Sequence, residues 1–266
     1  MGELRNRILN SARRFWATLP IARRHVCCIC GKQLASFLPY PGGRTGAPAL
    51  VRALNVVGSD LDNYECPACG CHDRERHLLL YLRASGLLAT MNGARILHLA
   101  PERHLRNVIS KALPEIHILG DIAPTSADMV QLDVEELPYA AESFDFVIAN
   151  HLLEHVHALD VALGEIARVL RPRGHAILQT PFSPVLTRTF EDSGIDTQDK
   201  RLQAYGQEDH VRLFGRDIVQ IVERAGFLSC IRSHGELLPD VDPHAHGVNV
   251  SEPFMWFERN AEHADT

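Results

Sequence analysis

Beyond residue 93 the chain alternates short apolar runs with amphipathic stretches. Arg95–Leu99 (RILHL), residues 115–119 (EIHIL), residues 129–132 and Phe144–Ala149 (FDFVIA) are short and rich in apolar residues, which predicts buried strands. A helical pattern over 103–113 separates the first two. Residues 158–170 repeat apolar side chains at helical spacing and close on Arg171-Pro172-Arg173-Gly174. Residues 175–180 (HAILQT) predict the next strand. A helix follows over 214–225, stopped by Gly226, and two late strands are expected at 227–232 and 254–259. No helix is obvious between those two, so an antiparallel hairpin at the sheet edge is expected. Strands alternating with helices predict an α/β fold with a doubly wound, mostly parallel sheet of seven strands.

The N-terminal part has another texture. Leu4, Ile8, Leu9, Ala12 and Phe15 fall at helical spacing, which predicts a helix over the first 24 residues. Residues 25–72 are loop-rich, with Pro39, Pro41, Gly42, Gly43, Gly46 and Pro48 in the middle. Residues 74–89 predict a helix carrying the apolar run Leu78 to Leu82. The expected division is an arm over 1–24, a cysteine module with a linking helix over 25–92, and the α/β domain over 93–266.

The 266 residues leave room for one large domain or a domain plus a small module, and 45% hydrophobic against 23% charged excludes a mainly disordered chain. No apolar run approaches the ~18 residues of a membrane span. Residues 15–22 are apolar but bracketed by Arg13-Arg14 and Arg23-Arg24, a poor match to an export signal. A cytoplasmic protein is expected. Charge is uneven: residues 1–90 hold 12 Lys/Arg against 6 Asp/Glu, and residues 91–266 hold 15 against 27. Six of those arginines lie in the first 26 residues beside the single Glu3, whereas 27–90 is nearly neutral. The basic feature is thus an arm, suited to a membrane surface, nucleic acid or an acidic neighbouring surface, or simply to a solvated helix.

Six of the seven cysteines fall between positions 27 and 71. Cys27-Cys28-Ile29-Cys30-Gly31 and Cys66-Pro67-Ala68-Cys69-Gly70 are two C-x-x-C-G knuckles. The two-residue gap turns both thiolates to one point, and the following glycine permits the tight turn. Cys27, Cys30, Cys66 and Cys69 therefore predict a closed, structural zinc site, with Cys28, Cys71 and His72 as spare candidates. Cys230 fits a strand pattern and is expected in the core.

Open α/β sheets bind ligands at the carboxyl ends of their strands. Those positions here carry Ala100-Pro101-Glu102, Gly120-Asp121-Ile122, Asp133-Val134-Glu135-Glu136-Leu137-Pro138 and Asn150-His151-Leu152-Leu153-Glu154-His155-Val156. Carboxylates ending the second and third strands suit a nucleoside, since one accepts ribose hydroxyls and another an amino group.

With DVEELP at 133–138, SFDFVIA at 143–149, HLLEHV at 151–156 and RVLRPRG at 168–174, the chain resembles the class I S-adenosylmethionine-dependent methyltransferases of the type 11 group. A narrower resemblance is to bacterial methyltransferases with an N-terminal cysteine-knuckle module, often found with surface-polysaccharide enzymes; LHLAPE at 97–102 and YGQEDHVRLFG at 205–215 carry it. The resemblance implies a Rossmann-like methyltransferase fold and S-adenosylmethionine as cofactor. It implies Asp121 on the ribose and Asp133 on the adenine edge, flanked by Ile122 and Val134. It places His98, Ala100, Pro101, Glu102, Asn150 and His151 beside the methionine portion. Typical members have glycines after the first strand; this chain has Ala100-Pro101-Glu102. Glu102 has two readings, a contact to the cofactor's amino group or a cap on the helix that follows.

His151, Glu154 and His155 also match an inverted zinc-protease motif, H-x-x-E-H. That motif needs a helix, whereas here it follows a strand, so Glu154 and His155 are expected to organise a loop rather than bind metal. His210, in the polar insertion after the fifth strand, is a candidate general base beside His151, or else a loop residue capping a helix. His244 and His246 are expected in an exposed hairpin. The reaction implied is O-methylation of a small molecule or glycan. The alternatives are an RNA or protein methyltransferase docking through the zinc module, and a non-catalytic scaffold. Against RNA stand the near-neutral module and an aromatic content of only 6%.

Overall fold

The computed structural model describes residues 24–261 together with Arg14, Ala17 and Thr18. The predicted N-terminal helix otherwise lies outside the described residues. Arg14 pairs with Glu65, beside the second knuckle.

Among the described residues nine strands form two sheets. β1 (His25–Val26) and β2 (Gln33–Leu34) make an antiparallel pair at the first knuckle. The large sheet contains β3 (Arg95–Leu99), β4 (Ile116–Asp121), β5 (Val130–Gln131), β6 (Phe144–Ala149), β7 (Leu170–Ile177), β8 (Phe227–Ser229) and β9 (Trp256–Arg259). Its order is β5-β4-β3-β6-β7-β9-β8, with the first five parallel and β9 antiparallel to both neighbours. This is the doubly wound sheet the alternation predicts. The late strands do pair antiparallel, but β9 inserts between β7 and β8, and two short helices, His234–Leu237 and Pro243–His246, lie between them in sequence.

Period-two alternation splits the strands between two cores. Leu97, Leu99, Val147, Ala149 and Ala176 face one side, packed with the Leu159–Val169 and Ile218–Arg224 helices. Ile96, Phe146, Ile148 and Ile177 face the other, packed with the Asp73–Ala84 and Arg103–Ser110 helices. Leu78 to Leu82 are all buried, so the linking helix is a covering layer of the sheet. It ends sooner than predicted, at Ala84; Gly86 takes φ +79° and a separate turn of helix, Leu87–Thr90, follows.

The cysteine module is tied to the C-terminal segment by Arg76. This fully buried guanidinium donates to the carbonyls of His246 (3.0 Å), Gly247 (2.7 Å) and Cys71 (3.1 Å), and lies 3.9 Å over the Phe37 ring. Gly247 sits so close that a Cβ would meet Phe37 at 2.4 Å. His244 and His246 belong to a short helix against this module rather than to a hairpin; His246 is half-buried, and His244, though exposed, packs on the His25 ring. Cys230 is half-buried beyond the end of β8, outside the apolar cores.

Candidate active site and cysteine cluster

The strand register aligns the candidate residues. Leu99 is opposite Gly120 on one side and Ala149 on the other, so Ala100, Asp121 and Asn150 stand in a row at the carboxyl edge. The Ala100 N–H donates to the Gly120 carbonyl at 2.8 Å. Ala100 holds φ +45° and His151 φ +54°, left-handed values that cost non-glycine residues roughly 1–3 kcal/mol each. Ala100 thus takes up, without a glycine, the backbone turn that glycine would favour.

Glu102 occupies the N-cap position of the helix it precedes but makes no capping side-chain bond. Glu75 of the linking helix makes one, accepting from the His104 N–H at 2.9 Å and from the His72 N–H at 2.8 Å. Glu102 is free to turn inward, where Oε1 accepts from Asn150 Nδ2 and Oε2 lies 3.4 Å from the fully buried His98. Burial opposes its charge, but His98 and Arg74 more than offset this and hold its carboxyl below the usual range. Asn150 Oδ1 and Glu102 Oε2 are buried without hydrogen-bond partners, so the edge presents unsatisfied acceptors. Pro101 is half-buried between them and Ala100.

Asp121 and Asp133 lie further out. Asp121 Oδ1 accepts from Ala123 N–H at 2.8 Å and Asp133 Oδ1 from Glu135 N–H at 2.9 Å, turns that leave each second oxygen for a ligand. Ile122 is exposed, whereas Val134 is buried in the core beneath.

Behind this edge runs a buried chain of imidazoles and carboxylates. His234 Nδ1 lies 3.0 Å from His77 Nε2, His77 Nδ1 is 3.0 Å from Glu252 Oε2, and Glu252 Oε1 is 3.6 Å from His151 Nε2. His151 Nδ1 lies 3.4 Å from Glu154 Oε1, whose other oxygen accepts from Thr180 Oγ1 at 3.0 Å. Burial would lower the His151 pKa, but Glu154 and Glu252 raise it to about 9, while Glu252 itself is held near 2 against its own burial. His151 is therefore an imidazolium at neutral pH. His210 is buried as well, its Nδ1 3.2 Å from the Tyr205 carbonyl, and burial lowers its pKa. Its Nε2 has no partner and faces Glu154 Oε1 at 4.0 Å. The motif 151–155 forms turns, not a helix.

Sequence reasoning missed Glu252, His77, His234 and Asp73, which reach the site from segments with no recognisable motif. Asp73 is buried, and its Oδ2 accepts from the Asp60 N–H at 2.5 Å. Burial and the nearby Glu252 charge raise its pKa to about 7. The folded chain keeps this proton up to about pH 7, whereas an unfolded aspartate loses it near ~4. Asp73 therefore subtracts stability progressively as pH rises across that window. Asp73→Asn is expected to gain in melting temperature over the wild type between pH 4.5 and 8. Parallel melting curves for the two proteins would contradict it.

The two knuckles are superimposable in their turns: Gly31 N–H donates to the Cys27 carbonyl and Gly70 N–H to that of Cys66, both at 2.8 Å. Gly31 and Gly70 take φ +70° and +81°, the conformation for which glycine is needed. Cys27, Cys30, Cys66 and Cys69 converge, with Cys27–Cys69 at 3.9 Å and Cys30–Cys66 at 4.0 Å between sulfurs. Tetrahedral zinc with ~2.3 Å bonds separates its sulfurs by roughly 3.8 Å, so the set fits that ion. Of the spare candidates, Cys28 donates to the Arg76 carbonyl and burial pushes its thiol up to about 12. His72 stacks on Tyr64 and begins the linking helix. Cys71 lies 3.4 Å from Cys27, buried beside the four and facing Arg76.

A cleft of about 910 Å³ opens between residues 44–63 of the cysteine module and residues of the segments 182–184 and 243–251, the latter ending next to Glu252 in the sequence. A second cleft, of about 420 Å³, lies at the opposite, amino end of the strands beside Asp145 and His175 and is remote from these groups. Among the described residues no helix is long and apolar enough to cross a membrane.

Residues 83–178 match the methyltransferase domain family Methyltransf_11. A malonyl-[acyl-carrier protein] O-methyltransferase of Methylovorus is 46% identical over 101 residues, 36% of this chain and 30% of that protein. A biotin biosynthesis bifunctional protein of Cellvibrio japonicus is 37% identical over 57 residues, 21% of this chain and 11% of that protein. The chain thus spans less than a third of the length of either. Among solved structures, the Burkholderia thailandensis 1,6-didemethyltoxoflavin-N1-methyltransferase, with bound 1,6-didemethyltoxoflavin and S-adenosylhomocysteine, is 16% identical. The similarity covers 68% of this chain and 78% of that one, with a TM-score of 0.47.

Proposed function

We propose that this chain, which carries a class I S-adenosylmethionine-dependent methyltransferase domain over residues 83–178, moves the methyl group of that cofactor to an oxygen of a small molecule or glycan in the cytoplasm. The row Asp121, Ala100, Asn150 at the carboxyl edge of β4, β3 and β6 is the observation that carries the reading. Asp121 accepts the ribose hydroxyls. Asp133 takes the adenine amino group, with Ile122 and Val134 beside the ring. Asn150 Oδ1, which has no hydrogen-bond partner, and the Glu102 carboxylate, paired with His98, supply acceptors for an ammonium group, with Ala100 and Pro101 shaping their surroundings. When bound, the cofactor supplies an electrophilic methyl on a sulfonium.

The chain's own part is alignment and charge. Cationic His151 is a poor base at neutral pH; it fixes Glu154 and Glu252. His210, neutral and with a free Nε2 lone pair, is the group able to accept an acceptor's proton. The acceptor lies in the cleft walled by the cysteine module. We assign structural zinc to Cys27, Cys30, Cys66 and Cys69, which makes residues 25–92 a module that shapes this wall.

Asp121→Ala is expected to weaken S-adenosylmethionine binding by about 1–3 kcal/mol, the effect of leaving hydroxyls without a charged acceptor. Asp121→Asn keeps an oxygen for the Ala123 turn and separates loop loosening from the lost charge. Unchanged calorimetric affinity in both folded variants would refute the role. The acceptor class is tested by transfer of a labelled methyl group into glycan, RNA and protein fractions. Label in glycan or small molecules is expected, and label confined to RNA or protein would overturn that class.

A further inference from the structure

We propose that Glu154, His155 and His210 form a second metal site, for a divalent transition cation, in the buried polar network behind the carboxyl edge of the sheet. A carboxylate oxygen and one ring nitrogen from each histidine lie within 4.8 Å of one another. Glu154 Oε1 and His210 Nε2 are buried, carry no hydrogen bond and face each other at 4.0 Å. The His210 Nε2 lone pair, buried with no donor to meet it, is costly to leave unpaired. Metal–ligand bonds of about 2.0–2.2 Å would bring these atoms to roughly 3–3.5 Å apart, a closure within the reach of side-chain rotation.

The surrounding contacts are those that orient metal ligands. The Tyr205 carbonyl accepts from His210 Nδ1 at 3.2 Å, which fixes the proton there and leaves the lone pair on Nε2. Asp209 Oδ2 lies 3.2 Å from His155 Nδ1 and orients that ring. Thr180 Oγ1 donates to Glu154 Oε2, leaving Oε1 to the centre. His151 Nδ1 lies 3.4 Å from the same Oε1, and Glu252 lies on the far side of that ring, 3.6 Å from Nε2. The histidines are edge-to-face, with ring centroids 4.7 Å apart.

Two imidazoles and one carboxylate leave coordination positions open, unlike the closed four-sulfur cluster. An acceptor hydroxyl bound there would give up its proton to solvent more readily, and its oxygen would be held to bond to the cofactor's methyl as the carbon–sulfur bond breaks and S-adenosylhomocysteine leaves. In that case the His210 lone pair is committed to the metal, and the metal replaces His210 in lowering the barrier to deprotonation. This role rests on the methyl-transfer reading above; the metal site itself does not.

The test uses the full chain with its cysteine cluster zinc-loaded, equilibrated with excess zinc and then measured for bound metal. Two zinc ions per chain are expected, falling to one in His210→Ala and in His155→Ala, a variant at a half-exposed position. A single ion in the wild type, or two retained in both variants, would overturn the site. Cobalt added to the zinc-loaded wild type gives an independent reading that needs no variant. Visible absorption without the thiolate charge-transfer band supports the site, and a spectrum of thiolate-bound cobalt alone overturns it. A protein that holds two ions but fails to bind S-adenosylmethionine would retain the metal site and lose the methyl-transfer reading.

Discussion

Replacing Glu252 with Ala is expected to lower the unfolding free energy by about 3–5 kcal/mol, the usual consequence of removing one partner from a buried ionic network. Glu252 lies between His77 and His151, with only 3% of its surface exposed. Its loss leaves the His151 imidazolium with Glu154 as its remaining close carboxylate and removes the acceptor at His77 Nδ1. The backbone nearby stays anchored, because Tyr81 Oη donates to the Glu252 carbonyl at 2.6 Å and Glu252 N–H to that of Asn249 at 2.9 Å. Glu252→Gln keeps an acceptor without the charge, so a smaller loss of about 1–3 kcal/mol is expected. Urea unfolding of the three proteins measures both. A loss below ~1 kcal/mol in the Ala variant would show the network to be dispensable.

The second large effect lies at the cysteine cluster. Cys66→Ser is expected to abolish zinc binding at the four-cysteine cluster and unfold the module around it, since zinc in comparable small sites contributes on the order of 10 kcal/mol of apparent binding free energy at neutral pH. The apolar packing there is slight: Leu34 and Phe37 are the large buried side chains beside the cysteines. Without zinc this cluster must bury crowded thiols with little else to hold it. The damage should spread, because Arg76 joins the Cys71 carbonyl to those of His246 and Gly247, and His104 joins the helix after β3 to the Cys69 carbonyl at 3.0 Å. Metal analysis and thermal unfolding check both parts. A Cys66→Ser protein that keeps full zinc occupancy and wild-type melting would contradict the assignment.

Much of the sheet could be read from the chain. β3 and β6 coincide with the predicted 95–99 and 144–149 because their apolar positions cover both faces and leave no competing helical period. β7 starts earlier than expected, at Leu170, because Arg171 to Gly174 extend the strand through a register shift opposite β6 rather than forming a plain turn. The Gln198–Tyr205 helix escaped notice since it buries only Ala204 and Tyr205, and its markers are a Thr197 cap and Gly206.

The candidate residues are legible where their grouping is local. The knuckles announce themselves by spacing, and Asp121, Asp133 and Asn150 by their place after apolar runs. The buried network is not local: Glu252 meets His77 across 175 positions, and Arg212 donates to the Leu153 carbonyl across 59. No pattern in a single sequence reports such pairs. One signal was available. Asp73, Arg74, Glu75, Arg76 and His77 put five polar side chains directly before an apolar helix that packs on the sheet, and four of the five are buried. The H-x-x-E-H segment is the converse case. Its position after a strand points to a loop, and it does form turns, but its spacing gives no hint that folding returns His210 to Glu154 and His155 from across the insertion.

The central claim is that the carboxyl edge of this sheet is a cofactor site, and calorimetric titration of the full chain with S-adenosylmethionine addresses it without knowledge of the acceptor. The account predicts saturable binding of one cofactor per chain, weakened in Asp121→Ala. A folded, zinc-loaded protein that takes up no S-adenosylmethionine at saturating concentration would contradict it.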